Sequence, residues 1–268
     1  MRRQAMKFDR EAWRKCLLQT GDYERYQLAV AKALADQPHE YYVAQVDQLK
    51  SMVSGMAGLI RSVPQVRLLW ILKTSNAYTS LALAAQRKDW RTYIAIRKAN
   101  ETVVIHEMEA MRRILLKPRT PGGEWHKQVE FVLADLDEGL SLYQSGIRYY
   151  DSLASVATGS RQGGGFDQAE ARVTSICGKD SALGNEYRHI RNAFGHKTVR
   201  VIVTKHIVRF RDKNPTSGKV WTRDYTTQGL LRLYLRLSDW VVAKGLAAAF
   251  EGIVTNSILA KETETSEP

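Results

Sequence analysis

Hydrophobic positions recur every three and four residues over most of the first two-thirds of the chain, the spacing of one face of an α-helix. Prolines and a glycine mark the breaks, at Gly21, Pro38, Pro64 and Pro118. The pattern therefore predicts successive helices separated by short turns. Their approximate ranges are 9–18, 23–35, 39–62, 66–86, 88–116 and 124–157.

These predicted helices differ in how much of their surface is apolar. The 39–62 and 124–157 helices each carry an apolar stripe, beginning at Val43 and Val129, with polar residues elsewhere. The 66–86 helix is apolar on most sides, which is typical of a helix at the centre of a bundle. We therefore expect it to be central.

The hydrophobic pattern changes after Ser160–Gly165, a glycine-rich segment that predicts a flexible linker. A helix is predicted over 180–196, followed by β-branched runs at 198–203 and 207–211 that indicate a small hairpin. Residues 219–222 could add a third short strand, and a leucine-rich helix follows at about 226–257. The predicted fold class is all-α, a helical bundle with a small β-hairpin insertion at about 198–222.

The predicted domain organisation has three parts. Residues 1–62 form an N-terminal helical segment, 63–258 form the bundle with its insertion, and 259–268 form a disordered polar tail. The sequence leaves open whether the N-terminal segment is a separate domain, a dimer arm or an extension of the bundle.

Composition predicts a globular cytoplasmic protein. The chain is 44% hydrophobic and 25% charged, and its apolar runs are too short for a membrane span. The basic start Met1–Lys7 has no apolar run after it, so we expect no signal peptide. Cys16 and Cys177 lie far apart and have no CxxC partner, so they are interpreted as free cytosolic thiols.

Positive charge is concentrated in one part of the chain. Lys and Arg total 40 against 28 Asp and Glu, but residues 187–236 alone hold 12 basic and 2 acidic residues. The rest of the chain is nearly neutral. This local excess predicts a polyanionic partner, and we favour nucleic acid over a membrane because no segment resembles a basic amphipathic anchor.

The centre of this basic region is a motif in which Arg191, Asn192 and His196 lie close together in sequence. On a helix, Leu183, Tyr187, Ile190 and Phe194 fall on an inward face, and Arg188, Asn192 and His196 share a second face. Arg191 and His196 diverge by about 140° around an ideal helix. Gly195 could loosen or end the helix before His196 and so reduce that divergence.

Arginine and histidine are the side chains that a metal-free ribonuclease needs. Neutral His can deprotonate a ribose 2′-OH, His⁺ can protonate the departing 5′-oxygen, and a guanidinium can hold the phosphate oxygens. One motif supplies one imidazole, so a complete pair would come most simply from a two-fold dimer. Asn192 could orient the imidazole or contact phosphate.

The stretch Ile190-Arg191-Asn192-Ala193-Phe194-Gly195-His196 resembles the signature of the HEPN superfamily, an Arg, four to six residues and a His, often with a polar residue after the Arg. The Val/Ile/Phe-rich insertion ending in Asp212, with a Trp and a leucine-rich helix after it, resembles the prokaryotic branch. The resemblance implies a dimerising helical bundle and a metal-independent endoribonuclease of a toxin–antitoxin or antiviral system, with an antitoxin or defence-complex partner. By position, Arg191 and His196 would be catalytic and Asn192 supporting.

The insertion also supplies candidate RNA contacts. Basic side chains could follow an RNA backbone, and Trp221 or Tyr225 could stack on a base, although we favour Trp221 in the core. His189 is interpreted as a supporting or surface residue. The candidate RNA-binding residues are Arg188, Lys197, Arg200, Lys205, Arg209 and Arg211.

Other chemistry has less support in the sequence. His106-Glu107-Met108-Glu109 lacks a second His four residues on, so no metal is predicted, and no glycine-rich phosphate loop indicates a cofactor. Arg200/His206 and Arg119/His126 also match the loose Arg–His spacing, but they span a hairpin and a Pro-Gly-Gly turn. Two alternatives to a ribonuclease remain open: a non-catalytic RNA-binding or scaffold module of a defence complex, and a structural helical adaptor.

Overall fold

The computed structural model describes residues 39–60, 63–100, 124–160, 164–214 and 217–264. The described chain is mostly helical, with one small antiparallel sheet, which confirms the predicted mostly-α class. The predicted helices at 9–18 and 23–35 lie outside the described residues, as does Cys16. The helices are α1 (His39–Ile60), α2 (Gln65–Lys88), α3 (90–100 of the described chain), α4 (Trp125–Thr158), α5 (Phe166–Cys177), α6 (Asn185–Gly195) and α7 (Thr227–Glu264).

Local capping explains two of these boundaries. The Asp89 carboxylate accepts hydrogen bonds from the backbone N–H and the hydroxyl of Thr92, so Asp89 caps the start of α3 and separates it from α2. Gly159 ends α4 with φ +70°, a left-handed conformation that glycine adopts without strain.

The core lies where α7 and α4 pack against each other and against the surrounding helices. Trp240 of α7 is fully buried, and its indole N–H donates to the Tyr78 hydroxyl on α2 at 3.0 Å. The Tyr78 ring stacks on Tyr150 of α4 with centroids 3.9 Å apart. Aromatic contacts at the centre therefore join three helices.

The 66–86 helix, expected to be central, meets the core on one side only. One side of α2 is buried through Ile71, Tyr78 and Leu81, but Val66 is 81% exposed and Leu69 is 60% exposed. When a helix is apolar on most sides, the sequence does not determine which side meets the core. The buried side of α2 includes the small residues Ser75, Ala82 and Ala85, which allow close packing.

Helix α7 is long and apolar enough to cross a membrane by length and composition, over Thr227–Ile258. Half of the apolar window is buried inside the fold, where α7 packs against α1, α2 and α4. It is therefore the core helix of the bundle, and the described residues contain no convincing membrane span.

Both ends of the described chain pack together. Tyr42 of α1 and Ala260 of α7 are buried in a common cluster, and His39 Nδ1 lies 3.0 Å from the Ala260 carbonyl oxygen. The described part of the predicted 1–62 segment thus extends the bundle. Residues 259–264, expected to be disordered, continue α7 to Glu264.

The insertion is a three-stranded antiparallel sheet rather than a hairpin, in the order β1 (Arg200–Ile202), β2 (Ile207–Lys213), β3 (Val220–Thr226). Arg209 of β2 lies opposite Arg200 on one side and opposite Asp224 on the other. The first strand is shorter than predicted because residues 203–205 form a 3₁₀ turn. The third strand is longer than predicted because it pairs with β2 as far as Thr226, which lies opposite Ile207.

Candidate active site on helix α6

Helix α6 carries the Arg–His motif and is fixed to the bundle by its inward face. Tyr187, Ile190 and Ala193 are buried, and the Tyr187 hydroxyl donates to the Leu233 carbonyl of α7 at 3.0 Å. Phe194 packs edge-on against Phe210 of β2. The predicted inward face is therefore confirmed for Tyr187 and Ile190, with Phe194 half-buried beneath the sheet.

His196 is exposed at the C-terminal end of α6. Its side chain makes no hydrogen bond, ion pair or ring contact with any residue that the structure describes. Its backbone N–H bonds the Asn192 carbonyl at 2.8 Å, which keeps it on the helical path, and Lys197 then turns the chain with φ +54°. The Thr198 hydroxyl donates to the Arg211 carbonyl and so holds this end of α6 against β2.

Arg191 is half-buried on the side of α6 that faces α5. Its guanidinium carbon lies 4.6 Å from the centroid of the Phe166 ring, and Nη2 donates to Asn192 Oδ1 at 2.7 Å. Burial lowers the pKa of Arg191, while Asp167 and Glu170 oppose that shift. Nη1 is buried and has no hydrogen-bond acceptor among the described residues, an arrangement that is costly unless another group satisfies it.

Both ends of the Asn192 amide are occupied. Oδ1 accepts from Arg191, and Nδ2 donates to Asp212 Oδ2 on β2 at 3.1 Å. The amide therefore positions Arg191 and does not orient the His196 imidazole, the role considered from the sequence. The sheet reaches the motif through this contact.

Arg191 and His196 are not brought into contact within the described chain. Helix α6 ends at Gly195 with His196 as its C-cap residue, as expected, but the backbone stays on the helical path through His196. Arg191 lies toward α5, and His196 lies at the helix end beside β2. The divergence expected for an ideal helix therefore persists.

A second histidine belongs to the same region, although the sequence interpretation placed it among supporting or surface residues. His189 Nδ1 lies 2.7 Å from Asp212 Oδ2, and the ring stacks on Trp221 with centroids 4.8 Å apart. Asp212 is 6% exposed. A sequence clue to this site was available, because Asp212 follows Val208 and Phe210 in the inward alternation of β2, where a carboxylate needs a partner.

The expected RNA-binding residues divide into paired and unpaired groups. Arg209 forms two 2.7 Å hydrogen bonds to Asp224, which lower the pKa of that carboxyl, and Arg188 pairs with Asp167 at 2.9 Å. Lys205 is exposed and acts electrostatically on Asp224. Lys197, Arg200 and Arg211 are exposed, and their side chains have no hydrogen bond or ion pair within the described segments.

The two aromatic residues considered for base stacking have other contacts. Tyr225 is 7% exposed, and its hydroxyl donates to Glu186 at 2.6 Å, so its ring is not open to a base. Trp221 packs against the core beside His189, the arrangement favoured from the sequence.

Metal ligands and a reactive thiol find no support in the described chain. No group of three or more His, Cys, Asp or Glu residues suited to a metal ion occurs in it, and His106-Glu107 lies outside it. Cys177 is half-buried, and burial raises the pKa of its thiol to about 12. The thiol is therefore protonated at neutral pH.

No family model, curated protein or solved structure matches this chain. The assignment of a function therefore rests on the geometry of α6 and of the sheet that covers it.

Proposed function

We propose that the protein is a metal-independent endoribonuclease of the HEPN type, acting in the cytoplasm as a toxin or antiviral defence effector. One observation carries the proposal. Within the described part of the chain, the Arg191 guanidinium is held by Asn192 and has a buried Nη1 without an acceptor, and its helix ends at His196, whose exposed side chain has no partner there.

Each of these side chains has a role in cleavage by 2′-OH attack. Negative charge builds on the phosphate oxygens as the 2′-oxygen bonds to phosphorus, and a guanidinium stabilises that charge. Partial burial strengthens the interaction because the surroundings of Arg191 screen it less than water does. His196 exchanges a proton with the reacting oxygens.

A homodimer and a basic RNA surface complete the proposal. Two copies would line one RNA groove, and the partner copy would bring a second motif to it. The unpaired cations at the end of α6 and on the sheet, namely Lys197, Arg200 and Arg211, would contact the RNA backbone.

One observation favours the alternative of a non-catalytic RNA-binding or scaffold module. Arg191 packs on Phe166 with Asp167 and Glu170 nearby, as an arginine with a purely structural role would. A module of this kind would bind RNA through the same basic surface and would leave it intact.

Purified wild type, Arg191→Ala and His196→Ala, incubated with total RNA in EDTA, distinguish the two functions. We expect wild type to produce 2′,3′-cyclic phosphate and 5′-hydroxyl ends and each variant to cleave at least about 100-fold more slowly. His126→Asn is the matched control, because His126 is a partly exposed histidine outside the site, paired with Glu124. Equal activity in wild type and both variants, or activity abolished by EDTA alone, would contradict the mechanism.

A growth assay addresses the biological role. Induced wild type should arrest growth, and His196→Ala should not. Arrest that is equal for both proteins would point to the binding module instead.

A further inference from the structure

We propose that His189, oriented by Asp212, is the second proton-transfer group of this site, accepting the 2′-OH proton while His196 protonates the leaving oxygen. The inference rests on the proposed ribonuclease function and deepens it. It gives one chain both imidazoles of the acid–base pair, where the sequence alone indicated a second copy of His196.

The contacts of Asp212 define which nitrogen of His189 can take a proton. Asp212 Oδ2 lies 2.7 Å from His189 Nδ1 and also accepts from Asn192 Nδ2. An ionised carboxylate only accepts hydrogen bonds, so Nδ1 carries the hydrogen and Nε2 of the neutral ring carries the lone pair. The same division of roles orients a histidine base in hydrolases that use an Asp–His pair.

The surroundings hold this ring in place while leaving part of it accessible. Trp221 stacks on it almost in parallel, at an interplanar angle of 13°. The His189 side chain keeps 20% exposure, against 8% for that of Asp212. Nε2 has no partner within the described chain. A histidine that only joined two elements would not need its second nitrogen left open.

His189 and His196 lie on nearly the same side of α6. Seven residues correspond to almost two full turns, so their Cα atoms are separated by about 10 Å along the axis and about 20° around it. The bond from the His196 N–H to the Asn192 carbonyl shows that the helical path extends to His196. A phosphodiester placed along this side could meet one imidazole at each end.

The proton transfers balance. His189 Nε2 takes the 2′-OH proton as the 2′-oxygen forms its bond to phosphorus. The bond from phosphorus to the 5′-oxygen breaks, and the imidazolium of His196 gives its proton to that oxygen. The products are a 2′,3′-cyclic phosphate and a 5′-hydroxyl, and proton exchange with water returns both rings to their starting states.

The charges around His189 define the expected pH dependence. Asp212 faces it from β2, Trp221 covers it from β3, and Glu186 lies one turn earlier on α6, paired with Arg223 of β3. A base must be neutral and an acid protonated, so the rate should rise with pH on the acid side and fall on the alkaline side.

Two substitutions separate proton transfer from structural support. His189→Asn keeps an N–H donor near Asp212 but has no group at the Nε2 position, whereas His189→Gln places an amide near Nε2 that cannot exchange a proton. Both variants should keep the wild-type circular dichroism spectrum and RNA affinity. Both should lower kcat about 100-fold or more and remove the acid-side rise of the pH profile.

Every outcome of this experiment distinguishes between the hypotheses. If His189→Asn cleaves RNA at the wild-type rate while His196→Ala does not, His189 is not the base and the second His196 of a dimer takes its place. If His189→Asn has low kcat but keeps the acid-side rise, the role is structural and the inference is wrong. If wild type cleaves no RNA, the proposed function fails and this inference fails with it.

Discussion

At the scale of single residues, the outer face of the sheet shows how pairing decides which cations are available to the RNA that we propose as the ligand. Arg209 and Arg211 are both basic and both on this face, but only Arg209 is held by Asp224. A guanidinium already bonded to a carboxylate has fewer N–H groups for phosphate, and the ion pair as a whole carries no net charge to displace counterions. The sequence alone could not distinguish these two arginines.

Arg211→Ala should therefore weaken RNA binding more than the loss of the Arg209 pair does. We expect Arg211→Ala to lower the steepness of log K against log salt concentration by about 0.7 to 1, the contribution of one phosphate contact. Binding is measured by fluorescence anisotropy with a single-stranded RNA at several salt concentrations.

The matched control for Arg211→Ala is the double variant Arg209→Ala/Asp224→Ala, which removes both members of an ion pair and keeps the net charge. Its salt dependence should match that of wild type. If the double variant flattened the salt dependence as much as Arg211→Ala does, Arg209 would contact RNA in spite of its pairing.

The candidate site could be predicted from the sequence only in part, for a reason that also belongs to the residue scale. Arg191 and His196 are recognisable because they lie close together in sequence. Asn192 and His189 are positioned by hydrogen bonds to Asp212, which lies about 20 residues away in sequence and on another element. Contacts of this kind depend on strand register, which no local pattern determines.

At the scale of secondary-structure elements, α4 and α7 approach each other at two glycines of α4. A Cβ at Gly139 would overlap the Leu237 side chain, and one at Gly146 would overlap Trp240. The two glycines are seven residues apart, which is almost two helical turns, so they lie on the same face of α4. Close packing of the two central helices therefore favours glycine at both positions, most strongly at Gly146, where the neighbour is a buried ring.

Gly146→Ala should destabilise the protein by about 1–3 kcal/mol, because the added methyl must displace a buried ring in a packed core. The free energy of unfolding is measured by urea denaturation followed by circular dichroism. Gly195→Ala is the control, since a Cβ there meets nothing within 4 Å and alanine favours helix. That variant should be neutral or up to about 1 kcal/mol more stable, and equal destabilisation of both would rule out the steric explanation.

Most elements followed from the sequence, but the arrangement of their faces did not. The buried side of α4 was predicted by its apolar stripe, because a helix with a single apolar face turns that face to the core. The stripe consists of Leu136, Leu140, Tyr143 and Ile147. The apolar α2 gave no such direction, and its Leu69 is exposed. The length of β3 also depended on pairing with β2, which is a tertiary contact.

At the scale of the whole molecule, the bundle supports the site and the sheet supplies its second side. Helix α4 packs against α5 and α6, Tyr187 ties α6 to α7, and strand β2 packs against α6. On α6, Arg191 therefore faces α5, and His189 faces the sheet. The remaining question at this scale is whether a complete acid–base pair needs one chain or two.

Mixed populations of wild type and His196→Ala answer that question. The two forms, carrying different tags, are coexpressed at varied ratios, so that the proposed homodimer would assemble in all compositions. If each chain holds its own His189 and His196, every wild-type chain keeps one working site in any dimer. Specific activity should then fall in direct proportion to the wild-type fraction of the chains.

A site that required two copies of His196 would behave differently, because only dimers of two wild-type chains would work. Specific activity would then follow the square of the wild-type fraction, and at equal amounts of both chains it would be one-quarter of the wild-type value instead of one-half. His126→Asn coexpressed with wild type corrects for any effect of the tags. We expect the proportional decrease, since the contacts of Asp212 give each chain an oriented second imidazole; a quadratic decrease would return the role of base to the partner's motif.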